Sequence, residues 1–316
     1  MEDGPIARMP VPLFPRSPVS LSIGPACARR LAAGLSVVLT LSSALADPGA
    51  DSAAISLRAR QAALAPQLQD SAFGEPLYLE SVETRESASG DVYAVLPHPF
   101  NRLGPALRLP TQWCQVLMLH LNVKQCTAAA RHITVHLGSK REQSLELAYP
   151  LQLDYSMPSD TPEYLQVRMH AGRGPFGTRD TDFELEAVAL STGRCFIHFR
   201  YAVRYGMLGR VAMQAYLGIT GRDKVGFTRA SVIDQGTPAF VTGVRGAVER
   251  NAMRYYLAIA VYLDSLTIPE NERVERRLQA WFSATERYPI QLHEIDRDDY
   301  MAMKRHELTA HSLPSP

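Results

Sequence analysis

The sequence predicts an α+β fold: one antiparallel sheet, solvated on one face, covered on the other by a long helix, with further helices at the C-terminus. Three observations carry this expectation. Segments between Ile133 and Tyr205 alternate apolar and polar residues, Val244 to Leu266 carries an apolar stripe at helical spacing, and charged amphipathic segments occupy residues 270–287 and 291–308. The 316 residues, 46% hydrophobic and 21% charged, exclude a disordered, collagen-like or repeat-built chain. With 33 Lys and Arg against 32 Asp and Glu, no basic excess remains for a nucleic-acid partner.

The first element is a leader. Arg29 and Arg30 precede an uncharged stretch from Leu31 to Ala46 that ends in Ala44-Leu45-Ala46. That stretch is shorter than the roughly 20 residues of a membrane span, and its small-x-small end is what signal peptidase reads. Sec-type export with cleavage after Ala46 is expected, placing the mature protein in the periplasm or outside the cell. Arg8, Arg16, Arg29 and Arg30 leave with Glu2 and Asp3, so the formal charge of +1 becomes −1. No later segment is long and apolar enough to span a bilayer.

Export changes the meaning of the cysteines. Cys27 is lost, and Cys114, Cys126 and Cys195 face an oxidising compartment. Cys114 and Cys126, 12 residues apart, are the expected disulfide, while Cys195 lies in an apolar strand pattern and reads as a small buried hydrophobe. No Cys-x-x-Cys occurs, and no histidine stands at ligand spacing beside either cysteine, so no metal site is expected.

Residues 47–75 are Ala/Gln/Ser-rich and predict one helix or a loose arm; 76–266 form the main domain and 267–316 a helical extension. Leu77–Val82 and Asp91–Leu96 flank Ser87–Gly90, a polar turn that signals a hairpin. Phe100, Leu103, Leu107, Trp113 and Leu117 suggest two short helices broken by Pro110. Then the period becomes two: Ile133–Leu137, Leu145–Leu153, Leu165–Met169, Phe183–Ala187 and Cys195–Tyr205, a pattern of one-sided antiparallel strands. In the closing helix, Val248, Ala252, Tyr255, Ile259, Tyr262 and Leu266 form the stripe. Met253, Tyr256, Leu257, Ala260 and Leu263 lie off it, so the far side also needs a cover.

This order resembles the START-like, or SRPBCC, superfamily over residues 91–266. Val95-Leu-Pro-His-Pro-Phe100, with Leu107 and Trp113, is similar to the family's passage from strand through proline to helix and tryptophan. The resemblance implies a helix-grip fold, in which a curved sheet holds the last helix across an apolar tunnel. It also implies an apolar ligand such as a lipid, sterol or polyketide. The disulfide loop, a short helical insert at Met207–Ile219 and the C-terminal helices depart from the simple pattern.

On the residues themselves, the inward Tyr and Phe side chains can either fill the core or leave a cavity between Tyr149, Tyr201 and Tyr205 and the stripe residues Tyr255, Ile259 and Tyr262. Polar groups at its mouth could be Arg222 and Lys224, Arg173 and Arg179 beside a glycine-rich hairpin, and His120, Asn122 and Lys124 in the disulfide loop. Each also has a plain reading as a solvated turn or a rigidifying loop. No nucleophile elbow, P-loop or dinucleotide fingerprint is present. His306-Glu-Leu-Thr-Ala-His311 misses the zinc spacing by one residue. His132 and His136 lie about 13 Å apart on a strand, too far for one metal. No catalytic residue and no cofactor is therefore expected. The leading expectation is an exported hydrophobic-ligand or lipid-like carrier, followed by a cyclase or hydrolase using the same cavity, or an envelope interaction protein docking through residues 270–308.

Overall fold

In the computed structural model, the alternating segments pair into one sheet. The structure describes residues 48–312 except 192, 208, 212, 214–223 and 235–236. The leader, Arg222 and most of the Met207–Ile219 insert therefore lie outside the described residues. The strands are β1 (Leu77–Glu83), β2 (Ser87–Leu96), β3 (Val123–Ala128), β4 (His132–Leu137), β5 (Tyr149–Asp160), β6 (Tyr164–Ala171), β7 (Thr178–Ser191) and β8 (Arg194–Tyr205). They form an antiparallel sheet of 8 strands in the order β1-β2-β8-β7-β6-β5-β4-β3. From β3 to β8 each strand pairs with its successor, and the sheet then closes on β2. The chain must cross from β2 to the opposite edge, and it does so through α3 (Phe100–Ala106) and α4 (Pro110–Leu117). Leu103, Leu107, Trp113, Val116 and Leu117 are buried in that crossing.

Helix α5 (Gly243–Asp264) lies chiefly on β2, with its stripe residues Val248, Ala252, Tyr255, Ile259 and Tyr262 all buried. Gly90 makes this seat possible. A Cβ there would stand 2.9 Å from the Val248 carbonyl oxygen and 3.1 Å from Ala252 Cβ, closer than packed atoms tolerate. The far side of α5 is covered by α6 (Glu270–Thr285), α7 (Pro289–Leu292) and α8 (Arg297–Ser312), which bury Leu278, Trp281, Leu292, Tyr300 and Met303. The second expected C-terminal helix is thus divided: residues 293–296 form an extended strap between α7 and α8. A hairpin of β9 (Arg229–Asp234) and β10 (Thr237–Phe240) precedes α5.

Three details differ from the sequence reading. The first hairpin turns at residues 84–86, where Thr84 Oγ1 accepts the backbone N–H groups of Glu86 and Ser87, while Ser87–Gly90 belong to β2. Leu145–Leu147 form one 3-10 turn, because β4 ends at the Leu137–Tyr149 pair and offers earlier residues no partner. The sheet's outer face is not wholly solvated either. Helices α1 (Pro48–Ala63) and α2 (Ala65–Gln69) set Ala50, Ala54, Leu57, Leu64 and Leu68 against Tyr93, Tyr164, Val188 and Phe196. The Ala-rich segment is therefore a packed cap, and it explains why β2 is buried on both faces.

Strand order, the α3–α4 crossing and the seat of α5 make this the START-like helix grip. β1, the α1–α2 cap, β9–β10 and the C-terminal helices are additions to it. Among the described residues, no helix is long and apolar enough to cross a membrane.

Candidate functional site

The space between sheet and α5 is occupied by side chains. Tyr255 is the hub: its ring lies 4.7 Å from His120, 5.0 Å from Phe183, 5.9 Å from Tyr201 and 6.2 Å from Phe199. Ile259 is fully buried in the same core. The structure thus brings together His120, Tyr201 and Tyr255, as a packed aromatic cluster. Burial pushes the Tyr201 hydroxyl up to about 12.

His120 is held in one tautomer. The Asn122 backbone N–H donates to Nδ1 at 3.2 Å, so in the neutral ring the proton is on Nε2. That N–H is buried without a hydrogen-bond partner; Asn251 lies beside the ring but outside bonding geometry. Burial, reinforced by the positive charges of Arg254, Lys304 and Lys140, holds the imidazole well below its ordinary range. The ring is consequently a neutral donor at neutral pH.

The remaining expected site residues lie elsewhere. Tyr205 packs with Ala88, Val244 and Val248, and its hydroxyl donates to the Thr84 and Ser87 carbonyls at 3.2 and 3.1 Å, tying down the first hairpin. Tyr262 carries the Arg277 guanidinium 4.4 Å above its ring. Tyr149 is 37% exposed, because it occupies the last rung of the β4–β5 ladder and projects beyond the packed face. Arg173 is exposed in the β6–β7 turn. Lys224 donates to the His293 carbonyl and faces Glu294 at 3.8 Å.

The disulfide is present: Cys114 and Cys126 join α4 to β3 with their Cα atoms 5.4 Å apart. Cys195 is free and buried, and burial pushes its thiol up to about 12. Beside the disulfide lies a groove of about 440 Å³, walled by Met118 just after α4, Ala128 of β3, Val274 and Leu278 of α6, and Leu308 of α8. Arg277 also lines it, donating through Nη1 to Gln115 Oε1 at 2.6 Å and through Nε to Ser265 Oγ at 2.6 Å. The α8 wall is fastened to β3 by Lys304, whose Nζ donates to the Val123 carbonyl at 2.6 Å and to Glu307 at 2.8 Å. Lys124 reaches the same Glu307 at 2.9 Å. Sequence reading missed this groove because its walls are distant in the chain; its local signals were the disulfide and the apolar positions of residues 270–287.

A largely covered histidine, its side chain 13% exposed, sits on the outer face of the sheet. His198 lies between Asp91 at 2.9 Å and Glu186 at 3.0 Å and stacks on Tyr93 at 4.4 Å. Burial alone would lower its pKa, but hydrogen bonds to both carboxylates and their charges overcome it and raise the ring to about 9. The Tyr164 hydroxyl donates to Glu186 at 2.6 Å, and Arg200 donates to Asp91 at 2.9 Å. The network is fully partnered and works as a fastener between β2, β8 and β7.

No family model matches the chain, and no curated protein matches it. Among solved structures, norcoclaurine synthase from Thalictrum flavum is similar at 8% identity, with 61% of this chain and 89% of that chain covered and a TM-score of 0.34. Ara h 8.0201 is similar at 10% identity, with 60% and 99% covered and a TM-score of 0.32. The human StarD13 (DLC2) lipid transfer and protein localization domain is similar at 10% identity, with 48% and 88% covered and a TM-score of 0.28. Likenesses of this strength say nothing about ligand or activity. The START-like helix grip is read from the strand order and from the helix that the sheet holds.

Proposed function

We propose that this is an exported protein that binds a hydrophobic, lipid-like molecule in the groove beside the Cys114–Cys126 disulfide. The observation that carries the proposal is the groove itself: about 440 Å³, walled by Met118, Ala128, Val274, Leu278 and Leu308. Ligand sites are concave, mostly apolar and of about 300–1,000 Å³, with a few placed polar groups that fix orientation. Gln115 and Arg277 supply those polar groups. The sheet–helix interior, where the resemblance places a ligand, holds the His120–Tyr201–Tyr255 cluster instead. Export is supported by the leader pattern and by the disulfide, which persists in oxidising compartments. Residues 270–308 contribute Leu278, Trp281, Tyr300 and Met303 to the core, so they serve as walls of the fold before any docking role.

The test is displacement of a fluorescent fatty acid from the purified chain, compared with its Val274→Trp variant. Val274 is half exposed on the groove wall, so the indole fills the groove without disturbing the core. Binding by the parent chain and its loss in the variant, at an unchanged melting temperature, is expected. Equal binding by both, or none by the parent chain, would overturn the proposal.

A further inference from the structure

Arg250 and Arg254 stand one helical turn apart on α5, and both are buried. Residues at this spacing share a helix face, so α5 presents two guanidinium groups side by side in the interior. Lys140, from the β4–β5 connection, and Lys224 converge on the same place through Glu294 in the 293–296 strap. Arg254 Nη2 lies 2.7 Å and Lys140 Nζ 2.6 Å from Glu294 Oε1, and Lys224 Nζ lies 3.8 Å from Oε2. One carboxylate therefore serves three cations.

Arg250 has no ion pair among the described residues; its Nη1 donates to the Val225 carbonyl at 3.2 Å. The other carboxylate nearby, Glu249, is taken by Ser81 Oγ and by the backbone N–H groups of Phe227 and Thr228. Arg254 adds a second deficit, because its buried Nε–H has no hydrogen-bond partner. Buried charges and buried donors are normally matched, and leaving either unmatched is costly. Burial, and then the charge of Arg254, pulls the Arg250 guanidinium down to about 10, the direction that surplus positive charge produces.

We propose that this wedge binds a small oxyanion, a carboxylate or phosphate group, between Arg250, Arg254, Lys140 and Lys224. The guanidinium forks match the geometry of such a group, and the ammonium groups act as point charges. The arginines form the floor. Lys140 and Lys224, with side chains 28% and 24% exposed, form the entrance. The site shares no residue with the apolar groove, so either can stand without the other.

The test is calorimetric titration of the chain with inorganic phosphate, acetate and octanoate at ionic strength fixed by sodium chloride. Saturable binding of phosphate or of a carboxylate is expected. Lys224→Gln, at the exposed edge, should weaken it about tenfold, the effect of one charge-assisted hydrogen bond, without changing the melting temperature. Arg250→Gln should weaken it further. Glu294→Gln removes the competing carboxylate and should tighten binding, whereas a purely structural Glu294 would only lose stability. Preference for phosphate assigns a phosphate group, and octanoate binding above acetate assigns the carboxylate of an amphiphile; both support the site. No saturable binding beyond chloride, unchanged binding in Lys224→Gln and Arg250→Gln, or no tightening in Glu294→Gln overturns it.

Discussion

His120 and His198 lie on opposite faces of one sheet and carry opposite charge states. Both lose water, and for both burial disfavours the imidazolium. His198 gains two carboxylates, because strand register puts Glu186 directly across from it on β7 and Asp91 diagonally from it on β2, two residues from its partner Tyr93. His120, on the turn after α4, meets aromatic rings and a surplus of cations. The lesson is that burial sets the stakes and partners decide the outcome. The outer face uses its histidine as a charged clamp; the inner face keeps its histidine neutral with an unspent donor.

The largest predicted effect breaks the charged side of this pair. His198→Ala leaves Asp91 to Arg200 and Glu186 to the Tyr164 hydroxyl, and should cost about 3 kcal/mol in urea unfolding at pH 6.5. A loss below about 1 kcal/mol would mean that the clamp is solvated.

Titration sharpens the contrast. The folded His198 pKa is raised to about 9, above an unfolded value of about 6.5. Its contribution is complete below pH ~6.5 and is lost as pH rises through about 9, up to about 3 kcal/mol. The folded His120 pKa is lowered, so its share of stability falls as pH drops below about 6.5, where the unfolded ring takes up a proton. The two histidines together place a stability maximum near pH ~6.5. Unfolding followed from pH 5 to 9 should show it, and His198→Ala should flatten the alkaline limb alone.

Gly90→Ala acts on the inner face. The added Cβ meets the Val248 carbonyl oxygen at 2.9 Å, so α5 must shift, at about 1–3 kcal/mol. Such a shift should change near-UV signals from the Tyr255 cluster and leave the NMR titration of His198 in place. The smallest effect is expected for His120→Phe. It keeps the stack on Tyr255 and removes an unpaired donor, but it also takes the acceptor from the Asn122 backbone N–H; the two oppose each other, so stability should change by about 1 kcal/mol or less. A loss above about 3 kcal/mol would show that the ring nitrogens do more for the fold than the single bond from Asn122.

Much of this architecture was legible because its signals are local. The period-two runs of β6, β7 and β8, the stripe on α5 and the 12-residue spacing of Cys114 and Cys126 each need only neighbouring residues to be read. What failed depends on distant pairing. Gly90 reads as a turn residue in sequence, yet its small size serves a helix more than 150 residues away. Leu145 and Leu147 belong to an apolar alternation that β4 is too short to support. The histidine clamp needs three strands in register, and both proposed binding sites need the C-terminal helices folded back over α4 and α5. Sequence periodicity carries none of that.

Cys195 gives the pairing of β8 a practical meaning. Its thiol is fully buried, near the start of the strand joined to both β2 and β7. Thiol labelling of the native chain is therefore a clock for opening of the central strands. Its rate counts how often the protein comes apart, with no residue replaced.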